Sequence, residues 1–126
     1  MRIALITPEL HTLVRRTNLA GVSESLAKAL HGSRQDVRVF LPWTRDVDPD
    51  ALGELNERAV LMVKEGQGGS QRFRVVEGRL GELPIYLFDN EALFAQRYPY
   101  GGLDGPYPEN WRRYALFSLA VLQSFE

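Results

Sequence analysis

The 126-residue sequence contains no cysteine, two histidines and nearly equal numbers of acidic and basic residues. Without cysteine the chain cannot form disulfides or thiolate metal sites, which suits a reducing compartment, and we expect a cytoplasmic protein. The net charge of −1 provides no long-range attraction for nucleic acid or for an acidic membrane. His11 and His31 each lack a second ligand at helical spacing, so no metal site is predicted, and no other cofactor is expected.

Long apolar runs are also missing. The longest early run, residues 3–6, is far shorter than a signal-peptide core or a membrane-spanning helix. Apolar residues make up 44% of the chain and charged residues 25%, which is ordinary for a soluble domain. A chain of this length is sufficient for one domain with its own core. The composition therefore predicts a single globular domain without a membrane segment.

The first forty residues are typical of a strand, a helix and a second strand. Residues 3–6 are apolar throughout, as in a parallel strand that is covered on both faces, and Pro8 ends the run. A second buried-type strand is predicted at 36–41 from the apolar residues Val37, Val39, Phe40 and Leu41, and it ends at Pro42. Two such strands around a helix predict a βαβ unit with a parallel pair.

The helix between these strands has clear start and stop signals. Thr17 or Asn18 can cap its beginning, and Gly32 can end it. Apolar residues at helical spacing predict its buried face: Leu19, Val22, Leu26 and Leu30. Glu24 and Lys28 are predicted on the opposite, solvent-facing side.

The middle of the chain is typical of a hairpin. Residues 59–63 and 72–76 are predicted strands on either side of the glycine-rich segment 64–71. A further apolar strand is predicted at 84–88, and residues 92–94 are predicted to form a single helical turn. The segment 97–108 is rich in proline, glycine and tyrosine and is predicted to be a loop.

The last helix is predicted to start at Glu109 or Asn110. Its second half is apolar on nearly every side, and the sequence reaches Glu126 without a stop signal. We therefore expect that the chain is a fragment of a longer protein whose other parts cover this helix. If the helix stays uncovered, we expect self-association through its apolar surface.

The loop at 8–18 is a candidate binding site because of its position. In open α/β sheets ligands bind beyond the carboxyl ends of strands, and free N–H groups at the next helix start suit anions. Four polar residues of this loop could take part: Glu9, His11, Arg15 and Arg16. The two arginines could hold a pyrophosphate or a carboxylate by paired hydrogen bonds. The alternative, that these are solvated loop charges, remains open.

Aromatic residues in and after the segment 97–108 form a second candidate. They are Tyr98, Tyr100, Tyr107 and Trp111. Flat aromatic faces with polar tips suit the stacking of sugar rings, but such residues also pack loops onto a core. On side-chain chemistry alone, the packing role is favoured.

Several blocks, in order along the whole chain, resemble the glycogen and starch synthases of glycosyltransferase family 5. Thr7-Pro8-Glu9 is followed by Arg15 to Val22 at the family spacing between Ser-Glu and Lys-x-Gly-Gly. The strand 85–89 is similar to the family's Val-Tyr-Leu-Ile-Asp strand. The block from Tyr107 to Ser118 is the most specific, since it is similar to Tyr-x-Asp-Asn-x-x-Arg-Phe-x-Phe-Phe-Ser.

The resemblance implies both a fold and an activity. The expected fold is α/β: a Rossmann-like, open, mostly parallel sheet with helices on both faces and a β-hairpin insertion. It would form the N-terminal, acceptor-side half of a GT-B glycosyltransferase over residues 1–126, with the nucleotide-sugar domain absent. The implied reaction transfers glucose from ADP-glucose or UDP-glucose to an α-1,4-glucan with retention at the anomeric carbon.

Site residues follow from the resemblance position by position. Arg15 stands where the family has the donor-contacting lysine of Lys-x-Gly-Gly, and Thr17 and Asn18 stand at the two glycines. These three are the donor-binding candidates. Tyr100 stands where the family has an aromatic residue that contacts the acceptor glucan, and Gly101 follows it. No catalytic residue is predicted within the chain.

The partners implied are an α-glucan acceptor and a nucleotide-sugar donor that binds only with the second domain. The chain alone is therefore predicted to be inactive. Two alternatives remain: a non-catalytic glycogen synthase-like paralogue that binds glucan or a protein, and a different nucleotide-sugar transferase of the same two-domain architecture.

Overall fold

The computed structural model describes residues 1–96 and 98–126. A five-stranded sheet forms its centre, in the order β1-β2-β5-β4-β3. Its strands are β1 (Arg2–Ile6), β2 (Asp36–Pro42), β3 (Asn56–Lys64), β4 (Ser70–Leu80) and β5 (Leu83–Asp89). The helices are α1 (Asn18–Gly32), α2 (Glu91–Phe94) and α3 (Asn110–Ser124), with a 3₁₀ helix at Pro49–Leu52. A separate small hairpin consists of β6 (Gly101–Gly102) and β7 (Gly105–Pro106).

The sheet is mixed, and the prediction of a mostly parallel sheet was wrong in this respect. β2 pairs in parallel with β1 on one side and with β5 on the other. β4 pairs antiparallel with both β5 and β3. The predicted hairpin is therefore part of the main sheet, because β4 continues the sheet beyond β5. A tight turn at Gly81, which has a φ of 64°, makes this antiparallel pairing available.

Helices cover both faces of the sheet, as predicted. On one face, Ala27 of α1 packs with inward-facing residues of the parallel strands: Val37, Val39, Leu41, Ile85 and Leu87. On the other face, Leu116, Phe117, Ala120 and Val121 of α3 pack on Phe40, Phe73, Val75 and Phe88. The rings of Phe88 and Phe117 meet edge to face at 5.6 Å, a geometry that adds about 1 kcal/mol to the burial term.

The face that α1 buries differs from the predicted one. Leu19, Val22 and Leu26 are exposed, whereas the buried residues of α1 are Ala20, Ser23, Glu24 and Ala27. Small side chains let the helix lie close to the sheet, so the larger apolar residues are turned away from it. Glu24, predicted to face solvent, is buried because the loop before α1 supplies hydrogen bonds to its carboxylate.

The last helix is also apolar on its outer side. α3 buries one face, while Trp111, Leu119 and Leu122 are exposed, together with Phe125 just after the helix. Within the described parts of the chain, no helix is long and apolar enough to cross a membrane.

The outer side of α3 is expected to drive self-association. Substituting Leu119 and Leu122 together by Gln should weaken association roughly tenfold, because about half of each apolar side chain is left in contact with water in a single copy. Sedimentation velocity over a concentration series measures the effect. Leu26→Gln, at an exposed apolar position of α1 on the other face of the sheet, is the control. A wild-type chain that stays monomeric at high concentration would contradict this expectation.

Candidate functional site

The loop between β1 and α1 is held firmly against the sheet. The Thr7 N–H donates to the Phe40 carbonyl at 3.0 Å and so extends the pairing of β1 with β2. Leu10 and Val14 exchange backbone hydrogen bonds at 3.1 and 2.8 Å, and both side chains are buried, as is Leu13. The polar residues of this loop therefore project from a fixed backbone at the carboxyl end of β1.

Glu9 is the most buried polar group of the loop, with an exposed fraction of 0%. Its Oε1 accepts the backbone N–H groups of Arg16 and Thr17 at 2.5 and 2.7 Å. Its Oε2 accepts the hydroxyl groups of Thr17 and Tyr100 at 2.5 and 2.6 Å. The carboxylate thus joins the loop, the start of α1 and the tyrosine-rich segment.

The pKa of Glu9 lies below its usual value. Burial raises this pKa, but the hydrogen bonds from Thr17, Tyr100 and Arg16 favour the ionised form and more than offset it. The pKa of the Tyr100 hydroxyl is raised far above its usual value, first by burial and then by its bond to Glu9. Throughout the physiological pH range, Tyr100 therefore stays a neutral phenol that donates its hydrogen bond to the ionised Glu9 carboxylate.

A second buried carboxylate, Glu24 of α1, holds the same loop from another side. It accepts the Thr12 N–H at 2.8 Å and the Thr12 hydroxyl at 3.0 Å, and Lys28 lies 3.1 Å away. Burial raises the pKa of Glu24, but the bonds from Thr12 and Lys28 lower it more, so the net shift is downward. Among the described residues, Glu24 fixes the loop through Thr12, pairs with Lys28 and makes no hydrogen bond to Tyr100.

The backbone of Tyr100 is anchored to the start of α3. Its carbonyl accepts the Asn110 side-chain amide at 2.7 Å and the Tyr107 N–H at 3.0 Å. Gly101 begins the small hairpin, where any Cβ would overlap the carbonyl oxygen of Gly105. Glycine at position 101 therefore has a structural reason, which is the close approach of two backbone segments.

Arg113 of α3 is buried and holds the tyrosine-rich segment by its guanidinium. It donates to the carbonyl oxygens of Leu93 at 2.7 Å and Pro99 at 3.0 Å, and to the Asn110 side chain at 2.7 Å. Its charge also lies 4.9 Å from the ring centre of Tyr107. Burial lowers the pKa of Arg113, which nevertheless remains a cation.

The two loop arginines lie on the surface beside this network. The Arg15 guanidinium is 3.1 Å from the ring nitrogen of His11. Arg16 pairs with Asp46 at 3.1 Å and lies over the Tyr98 ring at 3.7 Å. An open depression of about 510 Å³ is lined by both arginines and His11. In the part of the chain that the structure describes, no group of acidic, histidine or cysteine side chains is arranged to hold a metal ion.

Comparison with known proteins identifies the family. The sequence model described as Starch synthase catalytic domain matches residues 2–126. The chain belongs to this glycosyltransferase family. Within it, the chain corresponds to an N-terminal part of the catalytic domain.

Relatives of similar sequence include bacterial glycogen synthases. Glycogen synthase 2 of Geobacter sulfurreducens is 33% identical over 123 residues, covering 98% of this chain and 25% of the relative. Glycogen synthase 2 of Geobacter metallireducens is 34% identical over 123 residues, with the same coverage. The chain therefore spans about a quarter of the length of the curated relatives it matches.

A solved starch synthase shares the fold. The catalytic domain of Starch Synthase IV from Arabidopsis thaliana, bound to ADP and acarbose, superposes with a TM-score of 0.83 at 22% identity. The superposition covers 99% of this chain and 26% of that one. The mixed sheet and its covering helices are thus the fold of this family's catalytic domain, over the matched part.

The structure brings some of the predicted family residues together. Thr17 caps α1 by accepting the Leu19 N–H at 3.2 Å, and it also binds Glu9. Thr17 and Tyr100 therefore meet at one carboxylate. Arg15 and Asn18 are exposed, the first in the loop and the second in the opening turn of α1. The loop predicted at 97–108 contains the small hairpin, and Arg97 lies outside the described residues.

Sequence reasoning missed the contacts that hold the site together. Glu9 was a candidate for ligand binding, yet its carboxylate is taken up by internal donors. Asn110 and Arg113, which belong to the block from Tyr107 to Ser118, both hold the Tyr100 segment. The hydrogen bond between Glu9 and Tyr100 joins residues 91 positions apart, so no local sequence pattern predicts it.

Acid should destabilise the fold through these buried carboxylates. Because the pKa of Glu9 is lower in the folded chain, its stabilising contribution is fully present above the unfolded pKa near 4.5. This contribution is lost as the pH falls through the lower, folded pKa. Glu9→Gln cannot titrate, so its free energy of unfolding should be lower at neutral pH and change less on acidification. Urea unfolding at several pH values measures both effects.

The matched control for this experiment is Glu54→Gln. Glu54 is exposed, so the acid dependence of this variant should follow that of the wild type. Equal acid dependence in Glu9→Gln and the wild type would show that Glu9 does not have a lowered pKa in solution.

Proposed function

We propose that the chain supplies the acceptor-side surface of a cytoplasmic, retaining glucosyltransferase that extends α-1,4-glucans. In this proposal Tyr100 presents its ring to the glucan, and Gly101 lets the following hairpin stay close to the ring. The bacterial relatives are named glycogen synthases, and the solved relative holds ADP and acarbose, a pairing of nucleotide and sugar-like ligand.

The observation that carries the proposal is the position of Tyr100. Its side chain is half-buried, its hydroxyl is tied to Glu9 at 2.6 Å, and its carbonyl is tied to Asn110 at 2.7 Å. A ring that is fixed at both ends and still partly open can stack on a sugar without a large loss of side-chain entropy.

The donor side of the proposal rests on the other residues at the same edge. The depression beside Arg15 lies next to the start of α1, where Thr17 and Asn18 stand. The Arg15 guanidinium can pair with a diphosphate in two parallel hydrogen bonds. ADP-glucose or UDP-glucose is the donor that this reading implies.

Turnover by the chain alone is not expected. The depression at Arg15 is open, so a donor there would stay in contact with water on its outer side. Stabilising the departing nucleotide diphosphate requires charges in a water-excluded cleft, and two substrates must be held in line. We propose that a second domain provides the other wall of this cleft, as expected for a two-domain transferase.

A non-catalytic paralogue is the second candidate, and one observation favours it. The Thr17 hydroxyl is committed to capping α1 and to Glu9 at a position where the family resemblance has glycine. A side chain there limits how closely a donor phosphate can approach the backbone. Such a protein would keep the glucan surface at Tyr100 and lack transfer.

Glucan binding tests the proposed function. Maltoheptaose should bind the wild-type chain, and Tyr100→Ala should weaken binding about five- to thirtyfold, because one stacked ring contributes on the order of 1–2 kcal/mol. Isothermal calorimetry or NMR shift perturbation measures the affinity. ADP-glucose should bind weakly or not at all, and no glucan extension should occur.

Phe125→Ala is the matched control, since Phe125 is an exposed aromatic residue just after α3, at the end of that helix far from the Tyr100 network. It should bind maltoheptaose like the wild type. Equal loss in both variants would mean that any exposed ring can bind the glucan. Glucan extension by the chain itself would refute its predicted inactivity.

A further inference from the structure

We infer that Glu9 is the positioning residue for Tyr100: its carboxylate holds the phenol ring in the one orientation that a glucan meets. The inference rests on the proposed function, since it names what prepares the Tyr100 surface for its ligand. Glu9 would act through Tyr100, without touching the sugar itself.

The Oε2 atom of Glu9 holds the hydroxyl end of Tyr100. This oxygen accepts the Tyr100 hydroxyl at 2.6 Å and the Thr17 hydroxyl at 2.5 Å. Two hydroxyl donors on one charged oxygen make short, directional hydrogen bonds. The tip of the Tyr100 ring is therefore fixed relative to the start of α1.

The backbone end of Tyr100 is held by separate contacts. Its backbone carbonyl is held by Asn110 and Tyr107, and the Tyr114 ring lies 6.2 Å away at an interplanar angle of 37°. The two hydrogen bonds fix the backbone, but they do not set the direction in which the side chain points. The bond to Glu9 fixes the hydroxyl tip and so holds the long axis of the ring in one direction.

Glu9 is itself held in place by contacts other than the one to Tyr100. Oε1 is bound to two backbone N–H groups, those of Arg16 and Thr17. The Glu9 carbonyl accepts the Thr7 hydroxyl at 3.0 Å, and Thr7 lies 3.1 Å from the Ser23 hydroxyl of α1. Glu9 is thus held by the loop after β1 and by α1. The Tyr100 hydroxyl, through its bond to Glu9, is held in place relative to both.

The chain contains a natural control for loop stability. Glu24 is also a buried carboxylate and holds the same loop through Thr12, but its hydrogen bonds go to Thr12 and Lys28. Glu24→Gln should loosen the loop and lower stability without releasing the Tyr100 hydroxyl. A purely structural role of Glu9 would make the two Gln variants behave alike.

The experiment compares maltoheptaose affinity in five chains: wild type, Glu9→Gln, Glu24→Gln, Tyr100→Phe, and the double variant Glu9→Gln/Tyr100→Phe. Glu9→Gln and Tyr100→Phe should each bind about tenfold more weakly, because each removes the charge-assisted hydrogen bond between the Tyr100 hydroxyl and position 9. Glu9→Gln also removes the charge from the other three hydrogen bonds of this carboxylate, and Glu24→Gln controls for the resulting loss of loop stability. The double variant should be no weaker than the weaker single variant, since both changes remove the same contact. Glu24→Gln should bind like the wild type.

A readout without ligand accompanies these titrations. Nuclear Overhauser contacts between the Tyr100 and Tyr114 rings report the ring orientation directly. They should weaken in Glu9→Gln and persist in Glu24→Gln. Unchanged contacts in both variants would overturn the inference.

The outcomes separate the inference from the proposed function. If Tyr100→Phe and Glu9→Gln bind as the wild type does while Tyr100→Ala does not, the glucan surface stands and the positioning role of Glu9 is wrong. If the wild type binds no maltoheptaose, the proposed function fails, and the ring contacts alone decide whether Glu9 orients Tyr100.

Discussion

Burying the Glu9 carboxylate requires four N–H and O–H donors, and these come from the loop before α1, the start of α1 and a segment 91 residues away. A buried charge that loses its donors is costly, so each of these segments is held in place by the others. The arrangement at the carboxyl edge of the sheet is therefore one connected unit. Neither the loop nor Tyr100 can shift without exposing the same charge to an apolar environment.

The rest of the fold supplies the frame for this unit. α1 lies on one face of the sheet through small residues, which brings the loop and Glu24 close to the strands. α3 lies on the other face, and its buried Arg113 ties the carbonyl oxygens of Leu93 and Pro99. The two halves of the site thus belong to opposite faces of the sheet and meet beyond its edge.

Local patterns predicted most elements, while tertiary contacts decided the rest. The strands, the extent of α1 from its Thr17 cap to Gly32 and the start of α3 follow from apolar runs, capping residues and glycine. The buried face of α1 was predicted wrongly. Helical periodicity assigned Leu19, Val22 and Leu26 to the core because they are apolar, but the close approach of α1 to the sheet favours the small residues Ala20 and Ala27 at the contact. The bond of Glu9 to Tyr100 joins residues that no local sequence signal pairs. The pairing of β4 with β5, in contrast, follows from the two-residue turn that begins at Gly81, a local signal that the prediction did not use.

The mixed sheet has a consequence for how the chain reaches its native state. β3, β4 and β5 are consecutive along the chain, and short turns join them, whereas β2 reaches β5 only across the whole hairpin. Closing short loops costs less entropy, so we expect this three-stranded meander to form early and the parallel strands to add later. Comparing the folding and unfolding rates of Val75→Ala and Val39→Ala reports the order, since a residue of the nucleus slows folding when truncated. The edge that carries Glu9 and Tyr100 would then be the last part to assemble.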